Sequence, residues 1–202
     1  MFSGQAAIDY LTIQGTKSDP CASSHWQKYH SGFKFNGYEF EGLEGFGGND
    51  KQPIGLRLWL TRLLQQRFRR FGDIYANFDT LDALAVEVTS RQGRAYDLDV
   101  LRQALSISFL HTHASHKFSD NSMCCVIGDG FGSMSALLLA SKSAGCVVLV
   151  NLSKTLLVDL WYLKLWMGAE AFARSVDLAV DETGLEQALE ARMACSDGYK
   201  GI

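Results

Sequence analysis

Five residues restrict this chain more than any others. Gly128, Asp129, Gly130, Phe131 and Gly132 stand between an apolar run and a stretch with helical period. The run before them, Met123, Cys124, Cys125, Val126 and Ile127, has the length of a buried strand. After them, Met134, Leu137, Leu138 and Ser141, with Ser133, Ala136, Ala140 and Ala144, describe a helix with small residues on one side. Gly145 reads as its end, and Cys146, Val147, Val148, Leu149 and Val150 form a second buried strand. Strand, glycine loop, helix and strand make one βαβ unit of about thirty residues. Strands joined through a crossover helix run parallel. The expected fold class is therefore α/β, with a partial Rossmann-like parallel sheet.

A G-x-G-x-G loop in that place has a physical task. Glycine permits backbone angles and close approaches that a Cβ would block. The following helix start exposes unpaired N–H groups carrying partial positive charge. A nucleotide-like ligand lying across the strand ends fits there. The bland alternative is a glycine-rich turn that holds no ligand.

The chain as a whole divides into a loop-rich lead-in (1–50), a helical region (51–120) and an incomplete Rossmann-like domain that contains the βαβ unit (121–202). In the lead-in, Phe33, Phe35, Tyr38 and Phe40 flank Asn36 and Gly37 and suggest a small hairpin. Pro53 suits the first turn of a helix over 53–71. Leu56, Trp59, Leu60, Leu63, Leu64, Phe68 and Phe71 form its apolar stripe, and Gly72 its stop. Arg62, Arg67, Arg69 and Arg70 lie off or beside the stripe, as an anion-facing patch or, on the blander reading, a solvated face. Two more helices are expected over 80–90 and 97–114, the second capped by Asp97. These helices cannot bury their apolar faces alone. Beyond the second strand come a helix around 156–167, a short strand near 174–180 and a last helix, with Thr183 and Glu186 as a capping box.

Composition excludes several classes. A hydrophobic fraction of 47% and a charged fraction of 20% do not suit a disordered or coiled-coil chain. A net charge of -3 gives no sign of nucleic acid as a partner. The five cysteines, Cys21, Cys124, Cys125, Cys146 and Cys195, contain no CxxC pair and read as buried thiols of a reducing compartment. No signal peptide or membrane span is legible, so a soluble, cytoplasmic protein with no membrane partner is expected.

The stretch VIGDGFGSMSALLLASKSAGCVVLVNLSKTLLVDLWYLK resembles class I S-adenosylmethionine-dependent methyltransferases, and most closely sugar O-methyltransferases, over about 123–167. That resemblance implies S-adenosylmethionine as cofactor and a sugar or other small hydroxylated molecule as substrate. It places Gly128, Gly130 and Gly132 against the methionine part of the cofactor, with Phe131 in the same loop. Asp129 would either accept a hydrogen bond from the cofactor's amino group or cap the loop's own N–H groups. The family expects an acidic residue at the end of the second strand, facing the ribose. Here Asn151 stands there, followed by Leu152, and Val126 replaces an acidic residue common in the first strand. The fingerprint differs from G-x-G-x-x-G of dinucleotide sites, yet Asn151 with Lys154 keeps an NADP-dependent oxidoreductase as the alternative. A non-catalytic cofactor-binding or interaction fragment is the third reading.

His111, His113 and His116 precede the first strand. Their spacing is poor for a metal, and one of them is a candidate base for deprotonating a sugar hydroxyl. Trp161, Tyr162 and Trp166 are either a sugar-stacking surface or, on the blander reading, core. Only 74 residues follow Gly128, against a methyltransferase sheet of about seven strands. The expectation is a C-terminally truncated sequence whose residues 124–127 form an unpaired apolar edge open to self-association.

Overall fold

The computed structural model describes residues 1–15, 22–24, 26–27, 32–43 and 55–195. Cys21 and Pro53 lie outside them. The chain starts with β1 (Phe2–Ser3) and α1 (Gln5–Gln14). The lead-in is thus not all loop. Ala7, Ile8 and Leu11 of α1 are buried at helical spacing. A hairpin of β2 (Lys34–Phe35) and β3 (Phe40–Glu41) comes next. Its turn is held by Asn36, whose Oδ1 accepts the N–H groups of Tyr38 and Glu39 at 2.9 and 2.8 Å.

The helical region contains α2 (Leu56–Arg69), α3 (Phe78–Arg91) and α4 (Leu98–Ala114). Asp97 caps α4 as expected, accepting the Val100 N–H at 2.9 Å. Gly93, at φ 69°, ends α3 in a Schellman turn, with N–H bonds from Gly93 to Ser90 and from Arg94 to Thr89. That turn aims Arg94 back toward the βαβ unit.

The βαβ unit consists of β4 (Ser119–Ile127), α5 (Ser133–Ala140) and β5 (Ala144–Val150). β4 and β5 pair in parallel, with Met123 opposite Cys146 and Ile127 opposite Val150. The helix stops at Ala140, short of the expected Gly145. Lys142, at φ 56°, takes the left-handed position of a second Schellman turn, with the Ser143 N–H on the Leu138 carbonyl at 2.9 Å. Gly145 instead lies in β5, where a Cβ would meet the Asp120 carbonyl oxygen.

The chain continues as α6 (Ser153–Met167), α7 (Ala169–Ser175), β6 (Asp177–Leu178) and α8 (Glu182–Cys195). β6 pairs antiparallel with β1, not with the parallel strands. Asp181 starts α8 by accepting the Gly184 N–H at 2.7 Å, so Thr183 lies inside the helix and the expected capping box does not form. The protein is mixed α/β, with eight α-helices and small sheets that include one parallel pair among the described residues.

One core joins the three regions. Ile8, Leu81, Leu101, Leu137, Leu157 and Phe172 are fully buried and come from six different helices. Each contributes about 1.5–3 kcal/mol by leaving water. Cys124, Val126, Val147 and Leu149 face this core, while Met123, Cys125 and Ile127 face outward. The expectation of buried thiols is corrected at Cys125, which is exposed, whereas Cys124 and Cys146 are half-buried. Trp161, Tyr162 and Trp166 pack against the core, Trp161 edge-on to Phe35 with ring centres 5.0 Å apart.

Candidate functional site

β4 and β5 end in register, and the Gly128 N–H continues their ladder to the Val150 carbonyl at 3.0 Å. The glycine loop and Asn151 therefore leave the sheet side by side, at the end where parallel α/β sheets bind ligands. Gly128, Gly130 and Gly132 all have positive φ, at 73°, 73° and 62°. Their surroundings differ. A Cβ on Gly128 or Gly130 would meet nothing within 4 Å, which leaves an open cradle. A Cβ on Gly132 would come within 2.6 Å of Leu163 Cγ and 2.9 Å of the Asp159 carbonyl oxygen. Gly132 is a packing glycine against α6, whereas Gly128 and Gly130 border open space.

Phe131 carries a φ of 146°, which a bulky L-residue rarely adopts. Four neighbours hold it there. Its N–H donates to Asp159 Oδ1 at 2.6 Å. Its carbonyl accepts Gln92 Nε2 at 3.1 Å. Its ring lies 3.7 Å from the Arg94 guanidinium carbon and edge-on to Tyr162. Arg94 also donates to Ser133 Oγ at 2.8 Å and Gln92 Oε1 at 3.2 Å. Gln92 and Arg94 are each 3% exposed. Sequence reasoning missed both. Their only local sign is a polar pair flanking a helix-ending glycine.

Two carboxylates organise the loop. Asp129 accepts the Met134 and Ser135 N–H groups at 2.9 and 2.8 Å and the Ser135 hydroxyl at 2.7 Å. Asp129 thereby caps the first turn of α5, not the loop's own N–H groups. Asp159, fully buried on α6, accepts the Phe131 and Gly132 N–H groups and Asn151 Nδ2, the last at 2.7 Å. Sequence reasoning did not single out Asp159, because an aspartate inside an apolar helix gives no sign of what it faces. Burial, then the charge of Asp129, pushes its carboxyl up to about 7. Burial also raises the Asp129 carboxyl, and it lowers the Arg94 guanidinium against the opposing pull of Asp97 and other acidic groups.

Asn151 Oδ1 accepts the Leu152 N–H at 2.9 Å, so the expected ribose-facing amide is tied to its own loop on one side and to Asp159 on the other. Lys154 is half-buried, with its ammonium 5.9 Å from the centre of the Phe33 ring.

The three histidines stand at the opposite end of β4. A nine-residue strand spans roughly 26 Å, so they are not brought to the loop. His111 bridges Asn77 and Ser143, each at 2.7 Å. Asn77 Nδ2 donates to Nδ1, which leaves Nε2–H to donate to Ser143. This is the neutral tautomer, and burial lowers the affinity of the ring for a second proton. His113 and His116 are exposed. No cluster of three metal-ligating side chains occurs among the described residues. The chain matches no known protein family, curated protein or solved structure with which it was compared.

Proposed function

We propose that this protein binds S-adenosylmethionine at the glycine loop, as a class I methyltransferase-like domain, and methylates a hydroxyl of a sugar or another small hydroxylated molecule. What supports this cofactor over a dinucleotide is that the loop's donors are already engaged. A pyrophosphate needs free N–H groups at the start of α5. Those of Phe131, Gly132, Met134 and Ser135 already point at Asp159 and Asp129. With those donors engaged, a phosphate finds no free N–H among them, and the carboxyl oxygens that occupy them are acceptors, which suit a cationic amino group.

When bound, S-adenosylmethionine supplies a methyl group activated by a positively charged sulfur, beside a cationic amino group. The chain's part is binding and alignment. Gly128 and Gly130 allow close approach, and the carboxylates hold the loop in shape. Asn151 and Leu152 line the neighbouring strand end, where Asn151 Oδ1, already accepting the Leu152 N–H, keeps one uncharged lone pair, a weaker acceptor than a carboxylate.

Binding without turnover is the second reading, because none of the three histidines reaches the loop. Melting the purified chain with S-adenosylmethionine, NADP or neither tests the choice of cofactor. At a hundredfold excess over Kd, the true ligand adds about 2.7 kcal/mol, or roughly 5–10 °C for a chain of this size. Stabilisation by NADP alone would sink the reading. Methyl incorporation into sugar acceptors then separates transfer from binding.

A further inference from the structure

We propose that α2 is a docking surface for an anionic lipid bilayer. This helix is mounted with its polar side inward. Gln65 is 5% exposed, and its Nε2 donates to the Tyr96 carbonyl at 3.1 Å. The Arg69 guanidinium lies 2.5 Å from Asp82 Oδ2, while Asp82 Oδ1 accepts the Tyr96 hydroxyl. These bonds fix the rotation of the helix. The opposite side carries Leu56, Trp59, Leu60, Leu63 and Leu64, with Phe71 just beyond its end, all between 44 and 77% exposed. Single exposed apolar residues are ordinary, but a continuous stripe of this kind marks an interaction site.

Charge selects the occupant. Residues 55–72 contain five arginines, at 57, 62, 67, 69 and 70, and no acidic residue, in a chain of net charge -3. Arg67 lies inside the stripe, one turn from Leu63 and one turn from Phe71. A second copy packed on the stripe would set arginines against arginines with no carboxylate on the segment to pair them. A headgroup layer suits both features. Leu, Trp and Phe enter the acyl boundary, and arginine side chains snorkel to phosphates. An open groove lined by Tyr75, Phe109 and Leu110, among others, adjoins Phe71 and extends the apolar surface. No described helix is long and apolar enough to cross a membrane, so the contact is with the surface only. The proposal departs from the expectation that no membrane is a partner.

Co-sedimentation of the full chain with vesicles tests this. The chain should pellet with phosphatidylcholine vesicles containing phosphatidylserine and not with phosphatidylcholine alone. High salt should weaken binding. Arg67→Gln and Arg70→Gln should each weaken it about fivefold. Leu60→Asp with Leu64→Asp should abolish it at unchanged melting temperature, since both side chains are exposed. Trp59 emission should shift to the blue on binding, measured against Trp59→Phe. Absent binding, equal binding to neutral vesicles, or binding indifferent to these substitutions would overturn the proposal. So would a dimer, seen by light scattering, that Leu60→Asp with Leu64→Asp dissolves while vesicles recruit nothing.

Discussion

The two ends of the parallel strand pair solve the same problem with opposite electrostatics. At the glycine-loop end, backbone N–H groups are satisfied by two carboxylates, Asp159 fully buried and Asp129 half-buried, with a buried arginine beside them. At the far end, His111 joins Asn77 to Ser143 through neutral hydrogen bonds. Buried charge is expensive and is kept only where it is fully paired. The loop end spends that cost on holding Phe131 at a φ of 146° and Gly128 and Gly130 at 73°. The histidine end has one left-handed residue, Lys142 at a φ of 56°, and it is closed in an ordinary helix-ending turn. That difference is what the proposed ligand site rests on, and it leaves the other end as a structural clasp.

The largest effect is expected at Asp159. Asp159→Ala leaves the buried Phe131 and Gly132 N–H groups without an acceptor, at about 1–3 kcal/mol each, and frees Phe131 to relax. A melting temperature lower by roughly 10 °C is expected, with loss of ligand-induced stabilisation. A variant that melts like the parent would erase the distinction between the two ends. Next in size is a pair of glycine substitutions. Gly132→Ala must accept a left-handed backbone and a clash with the Asp159 carbonyl, at about 2–4 kcal/mol. Gly130→Ala meets only the backbone penalty, about 1–2 kcal/mol, and its main effect should be on ligand binding. Thermal melts with and without S-adenosylmethionine separate the two. The reverse order would show that Gly130, not Gly132, is the packing glycine.

How much of this was legible depended on sequence distance. The βαβ unit, the Asn36 turn and the Asp97 cap rest on neighbours within a few residues, and the sequence shows them. Asp159, Gln92 and Arg94 act on Phe131 from 28, 39 and 37 positions away, and no local pattern carries that information. The pairing of β1 with β6 is hidden for the same reason. The stripe on α2 shows a further limit. Its period announces a helix, but not which side faces the core, and here Gln65 and Arg69 turn inward because Tyr96 and Asp82 offer them partners. The histidines misled because sequence proximity to a strand does not say which end of it they reach.

The sharpest test of the contrast between the ends is the dependence of stability on pH. Asp159 has its carboxyl raised from 3.8 to about 7 by burial and the charge of Asp129. The native chain then keeps a proton that the unfolded chain releases, so this group's contribution falls as pH rises from about 4 to about 7. His111 runs the other way. Burial lowers its ring below 6.5, so the native chain gives up a proton that the unfolded chain still binds. Its contribution is complete above 6.5 and is lost as pH falls through the native value. Denaturant unfolding across this range should show the two slopes opposing each other. Asp159→Asn reduces the fall between pH 4 and 7, Asp129 supplying what remains, and leaves the acid-side loss due to His111. His111→Gln does the converse, because an amide at that position does not titrate. If both variants kept the parent profile, neither end would be holding its group in the protonation state that burial favours.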